Sequence, residues 1–379
     1  MRVLHLWDNY APGLFDHSLE ICRDEGIEAA LACMNLIGDR APAVRYVRRA
    51  SRSAANLNFV TKVRNRLRRY FDERAFRVLA RAEIERFKPD VLHVHYGTTG
   101  ALLAADPTLL RTPFVVSFYG FDISQGVADP AIRTAYQAMM GHGPLVHVLC
   151  DEAKKRAIAL GARPDQIVDS NLPLPIDRYP MLGIERGVTR WLTPARFVEK
   201  KGHEILFRAF VKHLELHPDH RLTCWGYGDG DRLRERVRAL GLQSTVQVVN
   251  NEHEPSFDQA YFAQLREHDA VLAPSIRSAR GDDEGGPALT AVLAQVAGKP
   301  VILSDFPGSE RSVRDGVEGL IVPQGDADAL AGAMDKLAND PDLARGMGAR
   351  GRERAVREFS RAAYRDSLLG WYRRLTDEA

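Results

Sequence analysis

The chain has 379 residues, enough for two domains with cores of their own. Its 52 basic and 50 acidic residues leave a net charge of +2, so whole-molecule charge selects no polyanionic partner. No apolar run reaches 18 residues, so no membrane-spanning helix is expected. The N-terminal stretch, broken by Asp8 and Asn9, does not read as a signal peptide.

In chain order, Arg2–Trp7 reads as a short strand, Asn9–Leu14 as a turn, and Phe15–Glu25 as a helix closed by Gly26. From Arg40 to Lys88 there are fifteen Arg and Lys against four acids, a local excess of eleven. Around Lys62–Phe71 the cations interleave with Leu67, Tyr70 and Phe71 at near-helical spacing. That pattern suits an anionic membrane surface or a phosphate-bearing acceptor, and equally a solvated helix face. Pro89–Gly97 and Pro113–Asp122 read as strands that run into loops, and strands alternating with helices argue for parallel sheets. Ligands of such sheets gather at the strands' carboxyl ends, where His95, Tyr96, Gly97, Tyr119 and Asp122 fall. His93 and His95 are expected on opposite faces, with His95 the one nearer a ligand. Pro173, Pro175 and Pro180, with Gly183 and Gly187, mark a linker.

Beyond the linker, Trp191–Glu204 reads as a strand end, a basic loop and a helix from about Gly202. Arg196 and Lys201 share that loop, and a forked guanidinium with a point ammonium suits a diphosphate. Leu222–Asp231 is a buried strand running into a glycine turn at Gly226 and Gly228. In Asp283-Glu284-Gly285-Gly286-Pro287-Ala288-Leu289 a carboxylate precedes a tight loop opening onto a helix. The amides there would take anions or hydroxyl-rich ligands, and Glu284 could accept hydrogen bonds from sugar hydroxyls. A plain Gly-Pro turn and a solvated basic loop are the competing readings of the separate pieces. His203, His213, His217 and His220 read as surface residues, and no His, Cys or carboxylate cluster shows metal-ligand spacing. Cys22, Cys33, Cys150 and Cys224 form no CxxC pair and read as buried thiols of a reducing compartment.

Taken together, Ala195–Gly202 with Ala209-Phe210, Gly226–Gly228, His268–Ser275, Glu284–Pro287, Gly298–Val301 and Gly319–Asp326 resemble the C-terminal domain of family-4 glycosyltransferases of the GT-B fold. The resemblance is good over roughly residues 188–360 and thinner before. It implies an α/β protein of two Rossmann-like parallel-sheet domains facing across a cleft. The acceptor-binding domain would span 1–180, joined by a crossover helix over 361–379, and the nucleotide-sugar domain would span 188–358. It further implies retaining transfer of a hexose from a nucleotide-diphosphate sugar to a saccharide or lipid-linked acceptor, in bacterial polysaccharide or glycolipid assembly. Arg196, Lys201 and Glu284 would be catalytic. Gly13, Gly226, Gly228, Asn250, Gly285, Gly286, Pro287, Ala288 and Leu289 would bind the donor, and His95, Tyr119 and Asp122 would lie on the acceptor side. No metal or cofactor is implied, because Arg and Lys neutralise the diphosphate, and no nucleic-acid partner is expected. The location implied is cytoplasmic, with peripheral contact at the inner membrane face.

Two departures stand out. Tyr119 occupies the place of the family's acceptor-side His. The second Glu expected eight residues after Glu284 is replaced by Val292, with Leu293 next, so ribose would be held by another group. A GT-B sugar-nucleotide epimerase or a phosphorylase stays open as one alternative, and the missing carboxylate keeps open another, a catalytically silent sugar-nucleotide-binding protein.

Overall fold

The computed structural model describes residues 1–10, 17–36, 45–47, 60–251 and 257–377; over residues 60–72 the helix is described by its backbone. The chain divides into two compact units. One comprises Met1–Leu149, Ala153–Ser170 and Tyr364–Ala379, the other Cys150–Glu152 and Asn171–Ala363. Each is a wholly parallel sheet with helices packed against it.

The first sheet contains β1 (Arg2–Tyr10), β2 (Glu28–Leu36), β3 (Arg45–Val47), β4 (Val91–His95), β5 (Phe114–Ser117), β6 (Leu145–Val148) and β7 (Ile167–Asp169), in the order β3-β2-β1-β4-β5-β6-β7. β4, β5 and β6 are buried along their whole length, as parallel strands covered on both faces must be. β1 runs through Asn9 and Tyr10, which the sequence suggests as a turn. Pairing of Asn9 with Asn35 and Tyr10 with Leu36 keeps the backbone extended there. The helix Arg361–Asp377 closes this unit. Tyr364, Leu368, Trp371, Tyr372 and Leu375 come from one side of it and pack with Val3, Ile21, Val91, Val115 and Leu145.

The second sheet contains β8 (Arg190–Pro194), β9 (Arg221–Gly226), β10 (Val246–Asn250), β11 (Ala270–Ala273), β12 (Val301–Ser304) and β13 (Gly319–Val322), ordered β10-β9-β8-β11-β12-β13. Strand order reverses between β8 and β11. The segment from 171 to 180, which the expected boundary puts in the first domain and whose prolines suggest a linker, packs with this unit. Leu174 and Tyr179 lie in its core beside Trp225, Tyr261 and Val292, and the Leu174 amide donates to the Phe359 carbonyl (2.9 Å). All four cysteines are buried thiols. Among the described residues no helix is long and apolar enough to cross a membrane.

Leu368 is fully buried against β1, β4 and β5. Leu368→Ala should cost about 2–5 kcal/mol through lost burial and the cavity left behind. Chemical unfolding followed by the fluorescence of Trp7 and Trp371 checks this; a loss below about 1 kcal/mol would mean the helix contributes little to the first unit.

Candidate donor and acceptor site

At the reversal of the second sheet, the loop after β8 and the loop after β11 leave adjacent strands in the same direction and meet. Parallel sheets place their ligand sites at this topological position. The first loop ends in a short 3-10 turn, Glu199–Lys201, and then Gly202 with φ 69°. A Cβ at Gly202 would overlap the carbonyl oxygen of Pro274, so glycine is required both by the left-handed backbone and by the approach of the second loop. The Ile276 amide donates to the Lys200 carbonyl (2.8 Å), and Ser304 Oγ donates to the Ser275 carbonyl, fixing the two loops to each other and to β12.

Three cationic residues on the first loop divide the work. Lys200 is buried; its ammonium reaches Asp282 Oδ1 and the Asp283 carbonyl, each at 3.1 Å. Lys201 Nζ lies 2.6 Å from Glu284 Oε1, which also accepts from Ser275 Oγ at 3.0 Å. Arg196 is exposed, and its guanidinium meets no side-chain partner among the described residues. Burial raises the Glu284 carboxyl, but the ammoniums of Lys201 and Lys200 and the donated hydrogen bonds outweigh it. The group is held below the ordinary glutamate range.

Beyond Glu284 the chain passes through Gly285, Gly286 and Pro287 and enters the helix Leu289–Val296. Gly286 lies against Gly308 of the β12 loop, and the Ala288 amide donates to Ser312 Oγ at 2.9 Å. The amides of Gly285, Gly286, Leu289 and Thr290 meet no acceptor among the described residues. They open at the start of that helix, an arrangement able to accept an anion. Gly226 packs against the Ala195 carbonyl, and Gly228 bridges to Phe197, so this glycine turn holds the β8 loop in place. Asn250 is exposed at the carboxyl end of β10. Val292 and Leu293 are buried in the core.

In the first unit, His93 and His95 do not point to opposite faces. Residues two apart on a strand share a face, and their rings stack at 4.1 Å. His95 is buried beneath Trp7, with Nε2 3.0 Å from His5 Nδ1 and Nδ1 2.8 Å from the Tyr119 hydroxyl. It therefore lies one layer below Tyr119, bonded to its hydroxyl. Asp122 is fully buried and accepts from the amides of Gly97 (2.8 Å), Tyr119 and Gly120 (both 3.0 Å), while burial pushes its carboxyl up to about 6. It clamps the β4 and β5 loops to each other and leaves Phe121 exposed on their rim. Tyr96 holds φ 68°, a strained position for a non-glycine residue, and meets Tyr119 edge-on at 4.8 Å. Gly13 lies outside the described residues.

The chain matches the family of glycosyl transferases group 1 over residues 183–354 and the glycosyl transferase 4-like domain over residues 17–168. It belongs to the family-4 glycosyltransferases. WcaL of Salmonella typhimurium, named for colanic acid biosynthesis, is 27% identical over 309 residues, covering 79% of this chain and 75% of that protein. A phosphatidyl-myo-inositol mannosyltransferase of Mycobacterium leprae is 28% identical over 331 residues, 84% and 79% of the two chains. The fold is that of solved GT-B structures. Sucrose-phosphate synthase from Thermosynechococcus elongatus superposes with a TM-score of 0.78 over 100% of both chains at 16% identity. HepE of Anabaena in complex with UDP gives 0.72 over 98% of this chain and 99% of that one, also at 16% identity.

In this glycosyltransferase, sequence reasoning missed Lys200 and Ser275, which fix the loop that carries Glu284. The Lys200-Lys201 pair was visible, but the sequence did not indicate which ammonium turns inward. Glu284, with its depressed folded-state value, contributes stability above the unfolded glutamate pKa that is lost as pH falls through the lower folded value. Lys201→Met removes the largest group opposing burial, so the carboxyl should titrate at higher pH. Melting temperature scanned from about pH 7 down to about pH 3 checks this. The variant should be less stable than the wild type near neutral pH and lose less stability on acidification, the two curves converging at low pH, whereas superimposable acid limbs would show that the pair does not set the Glu284 charge.

Proposed function

We propose that this glycosyltransferase moves a hexose from a nucleotide-diphosphate sugar, with retention of anomeric configuration, to a saccharide or lipid-linked acceptor in polysaccharide or glycolipid assembly. The observation that carries the reading is the meeting of Lys201 and Glu284 at 2.6 Å beside the unengaged amides of Gly285, Gly286, Leu289 and Thr290. Cation, carboxylate and helix entrance lie on two loops of one sheet edge, which suits a diphosphate joined to a polyhydroxylated ring.

Lys201 and the exposed Arg196 neutralise charge developing on the leaving diphosphate, the helix entrance accepts its oxygens, and Glu284 orients sugar hydroxyls. Lys201 holds that carboxylate ionised and in place, while Ser275 fixes its second contact. A diphosphate oxygen takes the acceptor proton on the face from which the leaving group departs, which gives retention without an enzymic nucleophile. Charge neutralisation by side chains takes the place of a catalytic metal in this reading, so transfer should survive chelation. Acceptor recognition is assigned to the rim formed by Tyr96, Tyr119 and Phe121. The basic run that includes Arg64, Arg66, Arg68 and Arg69, in the helix Val60–Phe87, is assigned to an anionic lipid surface or a lipid-linked phosphate.

Donor identity is read first by melting against UDP-, GDP- and dTDP-sugars, because a ligand of the native state raises stability by mass action. With the donor in hand, Arg196→Ala and Lys201→Ala should each lower turnover by on the order of 100-fold. Glu284→Ala should reduce transfer far more than it weakens binding of the bare nucleoside diphosphate. Initial rates, calorimetry and the anomeric configuration of the product by NMR decide the matter. Near-wild-type rates in folded variants would overturn the diphosphate assignment, equal losses at Glu284 would move it to the nucleotide, and an inverted anomer would overturn retention.

A further inference from the structure

The helix His203–Leu216 directs Leu206, Phe210 and His213 into the core at the spacing of one helical face, so His213 is fully buried rather than at the surface. One turn later His217 caps the helix. Both imidazoles approach Asp335 of the helix Ala327–Asn339: His213 Nδ1 is 2.5 Å and His217 Nε2 3.6 Å from the same Asp335 Oδ1. His217 Nε2 is buried and meets no hydrogen-bond partner. On its other side, His213 Nε2 lies 2.9 Å from His220 Nδ1, and the indole N–H of Trp191 donates to that same His220 nitrogen at 3.4 Å.

Proton counting exposes a deficit. An indole nitrogen only donates, so His220 Nδ1 carries a lone pair, and His213 Nε2 must carry a hydrogen to meet it. An ionised carboxylate only accepts, so His213 Nδ1 facing Asp335 would need a second hydrogen. With the ring neutral, the lone pair of His213 Nδ1 and the Asp335 oxygen therefore face each other with no hydrogen between them. His217 Nε2 meanwhile presents its own nitrogen to the same oxygen. A cation between Nδ1 and the carboxylate removes the deficit and gives His217 a partner.

The first-unit histidines show no such deficit. His5, His93 and His95 also lie close enough to share an ion. Their nitrogens are matched, however, by one another, by Cys22 Sγ, by Ser117 Oγ and by the hydroxyls of Tyr119 and Tyr372, with no carboxylate among these partners.

We propose that His213 Nδ1, His217 Nε2 and Asp335 Oδ1 form a binding site for a divalent transition ion of the zinc class, clasping the helix His203–Leu216 to the helix Ala327–Asn339. Two imidazoles and a carboxylate leave the fourth tetrahedral position to water. Bonds of zinc length set neighbouring donors about 3.3–3.5 Å apart. The His217–Asp335 separation of 3.6 Å is within about 0.3 Å of that range, and the His213–Asp335 contact opens by about 1 Å on loading. His220, holding Nε2–H of His213, fixes the ring's tautomer and direction, as outer partners of metal-bound histidines do. The clasp lies at the opposite end of the helix from Gly202, so it steadies the scaffold behind Lys201 and takes no part in transfer.

The test uses the full-length protein, stripped with a chelator, desalted and titrated with zinc chloride in a calorimeter, with melting temperature read alongside. The wild type should bind zinc at this site and melt higher with it. His217→Gln and Asp335→Asn should each weaken that binding about tenfold or more and remove the rise in melting temperature. His217 stands at the helix end with a partly exposed side chain, so its variant reports even if the Asp335 change impairs folding. Absence of a zinc-dependent rise in the wild type would overturn the proposal, His213 then holding a second proton in place of the metal. Zinc binding unchanged in His217→Gln would overturn it too, by assigning the ion to other histidines.

Discussion

The reversal of strand order between β8 and β11 is the constraint on which the candidate donor site depends. On either side of it the connections run away from each other, so the loops leaving these two adjacent strands have no helix between them. Arg196 and Lys201 sit on one loop and Glu284 on the other. In sequence Lys201 and Glu284 are 83 positions apart, and the register of two parallel strands makes them neighbours. The first sheet repeats the arrangement between β1 and β4, where Trp7, His95 and Tyr96 collect.

Close packing turns that adjacency into a fixed geometry. Gly202 lets the second loop's backbone sit against the first, Gly226 does the same for the β9 turn, and buried Lys200 ties down Asp282 and the Asp283 carbonyl. A buried ammonium is tolerated because a carboxylate and a carbonyl satisfy it. The consequence is that Lys201 and Glu284 are held in fixed positions, as the proposed electrostatic stabilisation of a leaving diphosphate requires.

The histidines of the two units show how burial acts on one residue type in opposite ways. In the first unit a stacked row of neutral rings is closed by hydroxyls and a thiol, and burial lowers the pKa of His5 to about 3 and of His147 to about 4. In the second, His213 and His217 converge on a carboxylate, where neutrality leaves a hydrogen bond unmade. The same low dielectric that makes the first cluster self-sufficient makes the second require a cation.

The sequence by itself determined the α/β class, the glycosyltransferase family, the strand-loop-helix positions of Arg196, Lys201 and Glu284, and the glycine entrance to the helix Leu289–Val296. These are local properties: apolar runs, turn residues and short motifs carry them within a dozen positions. Tertiary structure decided what sequence spacing could not express. It turned Lys200 inward and left Arg196 exposed, spent Asp122 on three backbone amides, and put His95 beneath Tyr119. It drew Leu174 and Tyr179 into the second unit's core and brought Asp335 to His213. The inward turn of His213 was legible in its spacing from Leu206 and Phe210, since that periodicity is local. Its partner was not, because a contact between residues more than a hundred positions apart exists only once two helices pack on the same face of a sheet.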